Sequence, residues 1–149
     1  MAQEQLSFPF QGGKEILTRF FKENLIVPKD AVKRRVTGTV IFKFTADENG
    51  ALSKIVIYYA DDLSLTPFIV EALKKSSSKW IIPNKEKVHD FILPFSIRHN
   101  TPVTGAAEVQ KSHYDFYKNS SPFLSADQIP LNEASLLPAV IINYDVAPK

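Results

Sequence analysis

The chain has 149 residues, of which 44% are hydrophobic and 23% charged, and this is typical of one globular domain with or without an appendage. Its 18 Lys and Arg residues nearly balance its 16 Asp and Glu residues, so the net charge of +2 gives no electrostatic reason to expect nucleic-acid binding. Residues 1–11 show no periodicity and are interpreted as a leader. They have neither the basic start nor the apolar run of a signal peptide, so a mature exported chain and a native cytosolic start both remain open.

The first predicted element is a helix from Lys14 to Leu25, because its apolar residues recur on one face. That apolar stripe consists of Ile16, Leu17, Phe20, Phe21 and Leu25. Pro28 suits the first position of a helix, and a short second helical turn is therefore predicted over Lys29–Arg35.

An antiparallel hairpin is predicted next. Val40, Phe42 and Phe44 alternate with other residues, which indicates a strand with one buried face. The turn contains Asn49-Gly50, a pair that supplies the positive φ angles of tight hairpins. The second strand, Leu52–Tyr59, is rich in Ile, Val and Tyr.

A core-facing helix and a last regular strand follow the hairpin. Thr66-Pro67 is a helix-start signal, and apolar residues recur after it at helical spacing. The strand is predicted over Val88–Ile97, with alternate apolar residues on one face. Because Pro94 lacks a ladder donor, this strand is expected at a sheet edge or a bulge, and an exposed edge can pair with another segment.

The composition changes beyond Arg98, and we place the domain boundary near Asn100. Residues 100–138 are dense in Asn, Ser, Thr and Pro, with only a weak helical pattern over Ala106–Tyr117. Val140–Tyr144 is short and strongly β-prone, so a returning strand is predicted within 139–146. The chain is therefore divided into a leader, a domain at 12–99 and a polar extension at 100–149.

The residues suggest no catalytic set. His89, His99 and His113 fit no metal-ligand spacing, and the absence of cysteine excludes thiolate metal sites and a cysteine nucleophile. Gly12-Gly13-Lys14 departs from a phosphate-binding loop, which needs a longer glycine pattern after a strand. The sequence thus predicts a binding protein rather than an enzyme, with no metal or cofactor.

The order of these features resembles the C-terminal domain of TonB, the energy transducer of Gram-negative envelopes, over about 12–98. The residues that carry the resemblance are Gly12-Gly13, Leu17, Phe20, Pro28, Ala31, Gly38-Thr39-Val40, Phe44, Asp47, Gly50, Ala72-Leu73, Trp80, Pro83 and Val88–Phe95. The paired glycines and the Asp-x-x-Gly hairpin look most like the versions found in Bacteroidetes-type bacteria.

The resemblance implies an α+β fold, with a three-stranded antiparallel sheet and two helices on one face. Here an irregular C-terminal extension ending in a short strand would follow. In the family, the last strand pairs with an extended segment of an outer-membrane transporter, the TonB box, by β-strand addition. The peptide-binding residues implied are Val88, His89, Asp90, Phe91, Ile92, Leu93 and Phe95. The resemblance also implies a periplasmic protein of energy-coupled transport, with any signal peptide or membrane anchor outside this sequence.

Three hypotheses remain open on these residues. The first is a periplasmic TonB-like module that captures an extended peptide of an envelope protein. The second is an exported structural or interaction protein that keeps the fold but not transduction, with its tail covering the sheet edge or building a homodimer. The third is an unrecognised enzyme. We further hypothesise that Val140–Tyr144 returns to a sheet edge such as that of Val88–Ile97; a covered edge favours the second hypothesis and a free edge the first.

Overall fold

A computed structural model describes residues 8–83, 85–100, 106–124 and 134–145. The helices are α1 (Lys14–Asn24), α2 (Lys29–Lys33), α3 (Thr66–Lys75) and α4 (Ala106–Asn119), with a 3-10 turn at Leu63–Leu65 before α3. The strands are β1 (Gly38–Asp47), β2 (Leu52–Ala60), β3 (Val88–Asn100), β4 (Phe123–Leu124), β5 (Ser135–Leu136) and β6 (Val140–Asp145).

The described strands form one mixed sheet of six, in the order β4-β2-β1-β3-β5, with β6 also paired to β3. The predicted α+β class is confirmed, and β2-β1-β3 is antiparallel. The expected sheet of three strands is wrong for the whole protein, because the extension contributes β4 antiparallel to β2, and β5 and β6 parallel to β3. These additions give hydrogen-bond partners to main-chain groups that a three-stranded sheet leaves open at its two edges.

The β1–β2 hairpin forms as predicted, and its turn explains why glycine is needed at its end. Asp47 Oδ1 accepts hydrogen bonds from the main-chain nitrogens of Asn49 and Ala51. Gly50 has a φ of 78°, and a Cβ atom there would lie 2.3 Å from the carbonyl oxygen of Trp80. Among the two turn residues, only Gly50 takes a positive φ angle. Both the conformation and the close approach therefore exclude a larger residue.

The core lies between one face of the sheet and helices α1 and α3. Trp80 is at its centre, with its ring centroid 4.7 Å from that of Phe44 and 4.9 Å from that of Phe10. Its Nε1 donates to Ser76 Oγ at 2.9 Å, which satisfies the one polar group of a buried side chain. Phe10 belongs to the segment interpreted as a leader, so the described end of that segment completes the core.

Candidate functional site at the outer edge of β3

Strand β3 has two different neighbours along its two sides. On one side it pairs with β1 in an uninterrupted antiparallel register, from Asp47 opposite Val88 to Gly38 opposite Ile97. On the other side it pairs with the C-terminal segments β5 and β6. We call the main-chain groups on this second side the outer edge of β3. It is the place where the sequence analysis expects peptide binding.

One hydrogen bond shows which residues of β3 form that edge. The main-chain nitrogen of Leu137 donates to the carbonyl oxygen of Ile92 at 2.9 Å. Main-chain direction alternates along a strand, and the β1 register shows no bulge in β3. The groups that point outward are therefore those of Val88, Asp90, Ile92, Pro94, Ser96, Arg98 and Asn100.

The structure separates the seven candidate peptide-binding residues into two groups. Val88, Asp90 and Ile92 direct their main chain to the outer edge. His89, Phe91, Leu93 and Phe95 direct their main chain toward β1. Within this second group, Phe91, Leu93 and Phe95 are also buried in the core. Their side chains therefore pack in the core beneath β3, and their main-chain groups are not available to an added strand.

Sequence reasoning missed the carboxyl-terminal half of the outer edge. Ser96, Arg98 and Asn100 face outward, and β3 continues to Asn100 rather than ending at Ile97. The period-two alternation assigns the side chains of Phe95 and Ile97 to the core, but which main-chain groups face outward follows only from the position of β1. The end of the strand was less predictable, since 98–100 is polar and is ordered by pairing with β6.

Pro94 does not lie at a free edge, and β3 itself is regular there, but the tail's pairing opposite Pro94 has a bulge-like irregularity. Pro94 stands opposite Ile41 in regular register, and β3 is flanked on both sides by described strands. Its nitrogen points outward, to the place where the tail passes from β5 to β6. Here three tail residues, 137–139, stand opposite two of β3, and Pro138 is among them. The expectation of an edge strand is corrected, because the tail covers this edge. The pairing between β3 and the tail is interrupted at Pro94, where β3 has no main-chain N–H to donate.

The tail is attached mainly by apolar side chains. Leu137, Val140 and Ile142 are buried to 5%, 2% and 4% exposure and belong to the hydrophobic core. The register runs from Phe95 opposite Val140 to Asn100 opposite Asp145. This is the pairing hypothesised for Val140–Tyr144 on the Val88–Ile97 edge.

Polar contacts hold the end of β6. Tyr144 Oη donates to the carbonyl oxygen of Val36 at 2.6 Å. Burial raises the pKa of the Tyr144 phenol above its ordinary value, although the nearby Arg35 acts in the opposite direction. Asn100 Nδ2 donates to Asp145 Oδ1 at 2.9 Å. The C-terminal end of β6 is therefore hydrogen-bonded both to β3 and to the segment before β1.

A chain of three side chains fastens β5. His89 Nδ1 lies 2.9 Å from Glu86 Oε1, and His89 Nε2 lies 2.7 Å from Ser135 Oγ. Serine, histidine and a carboxylate occur in this order in hydrolase triads, but a triad also needs oxyanion donors beside an accessible nucleophile. Ser135 does not line either of two cavities, of about 370 and 310 Å³, that are formed by described residues. The contacts here join β5 to β3.

The opposite side of β3 carries a charged cross-strand contact. Asp90 accepts a hydrogen bond from Thr45 Oγ1 at 2.6 Å and lies 3.3 Å from Lys43 Nζ, both on β1. Burial opposes ionisation of Asp90, but these two contacts outweigh it and hold the pKa of the carboxyl below its ordinary value. The β1 side of β3 thus adds an ion pair to its ladder.

Within the described ranges, no helix combines the length and hydropathy needed to cross a bilayer. The same ranges contain no cluster of three or more acidic or histidine residues placed to hold a metal ion. Comparison of the chain with protein-family models, with curated proteins and with solved structures finds no match.

Proposed function

We propose that this protein is a binding module that works by β-strand addition at the outer edge of β3, and that its own tail closes this edge in the free chain. The observation that carries the proposal is the parallel pairing of β6 with β3 over Phe95–Asn100. An edge that accepts one extended segment has the main-chain geometry to accept another of similar pattern.

The antiparallel β2-β1-β3 unit, backed by α1 and α3, supports the TonB-like reading of the module. On that reading the partner is an extended segment of an outer-membrane transporter or another envelope protein. The proposed location is the periplasm, and the proposed role is energy-coupled transport without catalysis. Capture of such a segment requires that β6 leave the edge.

A second candidate function is favoured by the covered edge of β3, as the sequence analysis states, and by the burial of the tail. Leu137, Val140 and Ile142 are as buried as the residues of the central strands, which is more than a loosely attached cover requires. On this reading the chain is a stand-alone structural or interaction protein in which the tail is a permanent part of the sheet. The two functions differ in one property, whether β6 can be displaced.

An engineered disulfide tests this property, because the chain has no cysteine of its own. Arg98 and Asn143 are paired and exposed. Neighbouring strands lie about 4.8 Å apart, within the range of Cα separations that a disulfide spans. In the Arg98→Cys/Asn143→Cys variant, oxidation locks β6 on β3 and reduction releases it.

In the experiment, a library of random 12-residue peptides is screened for binding to the reduced variant and to the oxidised variant. If the proposal is right, the reduced protein selects peptides that protect the β3 amides from hydrogen exchange, and oxidation abolishes their binding. Peptides that bind both forms equally would bind elsewhere. A reduced protein that selects no edge-binding peptide would support the structural function instead.

A further inference from the structure

The arrangement of β6 leads to an inference about the ligand, which rests on the proposed function. We infer that the outer edge of β3 selects an extended segment running parallel to it with the pattern apolar-x-apolar-x-Tyr. The three selected side chains occupy the places of Val140, Ile142 and Tyr144. The partner class is therefore defined by its chemistry and by its direction along the strand.

The two apolar positions are selected by burial. Val140 stands opposite Phe95 and Ile142 opposite Ile97, on the face of the sheet that also packs against α1. Both are almost completely buried, whereas Ile141 between them is 39% exposed and Asn143 is exposed. A charged residue at either buried position would lose its hydration without a partner. The residues between them are free to vary.

The aromatic position is selected by a hydrogen bond. The acceptor of the Tyr144 hydroxyl is the carbonyl of Val36, a residue with no exposed surface. Phenylalanine in this place would fill the same volume but remove that donor. Loss of one hydrogen bond to a buried acceptor costs about 1 kcal/mol, which corresponds to about fivefold in affinity. The edge is therefore expected to distinguish Tyr from Phe.

The tail occupies the site for which an external segment would compete, and a cavity lies beside it. A cavity of about 310 Å³ lies between α1 and β6, lined by Lys22, Leu25, Val27, Ile142, Asn143 and Tyr144. The tail nevertheless has the advantage of being tethered, and a flexible tether supplies an effective concentration in the millimolar range. An external segment thus binds only to the fraction of molecules whose edge is open. It follows that a substitution that weakens β6 strengthens binding of the external segment.

The experiment uses the full chain and a fluorescent peptide that copies residues 138–145, Pro-Ala-Val-Ile-Ile-Asn-Tyr-Asp. Binding is measured by anisotropy for the wild type, for Ile142→Ala and for the matched control Ile141→Ala on the exposed face. We expect Ile142→Ala to bind the peptide about 10-fold or more tightly than the wild type, and Ile141→Ala to match the wild type. A purely structural role for Ile142 would weaken binding or leave it unchanged, which overturns the inference.

A second measurement keeps the test valid if Ile142→Ala fails to fold. The reduced Arg98→Cys/Asn143→Cys protein is titrated with the same peptide and three analogues: Tyr144→Phe, Ile142→Asp, and a version with Asn at all three anchor positions. We expect about fivefold weaker binding for the Phe analogue. The other two analogues should not bind, since they place a charge or polar residues in the buried positions.

The outcomes separate this inference from the proposed function. If the analogues bind as well as the copy, or if library peptides of another pattern protect the β3 amides while the copy does not bind, the inference is wrong and strand addition stands. If neither the copy nor any library peptide protects β3 in the reduced protein, strand addition fails as well.

Discussion

The two sides of β3 are held by different means. Toward β1, the pairing is antiparallel, uninterrupted and supported by the cross-strand contacts of Asp90. Toward the tail, the pairing is parallel, broken at Pro94 and supported by the buried apolar side chains of β6 and of Leu137, which lies between β5 and β6. The first side joins two strands of the predicted domain at 12–99. The second side pairs β3 with a segment of the extension, beyond residue 134. The difference teaches that one strand can belong both to a permanent sheet and to an edge that a second segment completes.

The other edge of the sheet provides an internal reference for this comparison. There, β4 pairs with β2 only at Tyr59 and Ala60. Leu124 of β4 is 68% exposed, in contrast to the buried residues of β6. Among the described residues, the extension therefore pairs with both edges of the sheet, and the pairing with β3 is expected to contribute far more stability.

The largest expected effect is that of a charge in the β6 attachment. Ile142→Asp should lower the free energy of unfolding by at least about 3 kcal/mol, because it removes a buried side chain and adds an unpaired carboxylate. Urea unfolding measures the change. Leu124→Asp, the matched control on the exposed β4, should stay within about 0.5 kcal/mol of the wild type. Equal losses in the two variants would contradict the difference between the edges.

A smaller effect is expected at β5. Ser135→Ala removes the partner of His89 Nε2 at a half-buried position, and we expect a loss of about 1 kcal/mol. Hydrogen exchange should accelerate at Leu137, whose nitrogen bonds to Ile92, and stay unchanged in β1. Acceleration throughout the sheet would show instead that β5 is not a separate attachment.

Tyr144→Phe tests how the pH dependence of stability depends on the Tyr144 hydroxyl, on the tail side of β3. Loss of the hydrogen bond to Val36 should cost about 1 kcal/mol at neutral pH. Because the pKa of Tyr144 is raised in the folded protein, its stabilisation is complete below the unfolded pKa of about 10 and is lost as the pH rises beyond it. The stability difference between wild type and variant should thus shrink at alkaline pH in thermal unfolding. A difference that stays constant would exclude the phenol as its source.

Asp90→Asn tests the β1 side of β3 with acid and should have the smallest effect, below about 1 kcal/mol for a partly exposed ion pair. The pKa of Asp90 is lowered on folding, so its contribution is present above the unfolded pKa of about 3.9 and is lost as the pH falls through the folded value. The wild-type and variant stability curves should therefore converge at acidic pH. If they converge at alkaline pH instead, the carboxylate is not the group responsible.

Periodicity predicted the elements that carry most of the core. The helix α1, the β1–β2 hairpin, α3 and the start of β3 all lie where alternation or helical spacing placed them, but Ile16 of the predicted α1 stripe is exposed. A β-prone run also indicated β6. Phe10 was not predictable as a core residue, because it follows no periodic segment and is buried by tertiary contacts, among them those with Trp80 and Phe20.

The candidate site was predictable only in part. The sequence indicated the strand and an edge, but Phe91, Leu93 and Phe95 were assigned to peptide binding although their main chain faces β1. Which main-chain groups face outward depends on which side β1 occupies, and that is a property of the sheet. The contact of His89 with Ser135 joins residues 46 positions apart, which no local pattern specifies.

The amino-acid sequence by itself determined the local structure of this protein, because the spacing of apolar residues decides between helix and strand and marks the buried face of each. Only the tertiary structure decided that the tail completes the β3 edge in parallel. Pairing of that kind depends on closing a long connection and on the burial of Val140 and Ile142 against α1 and β3, and these contacts exist only once the core has assembled.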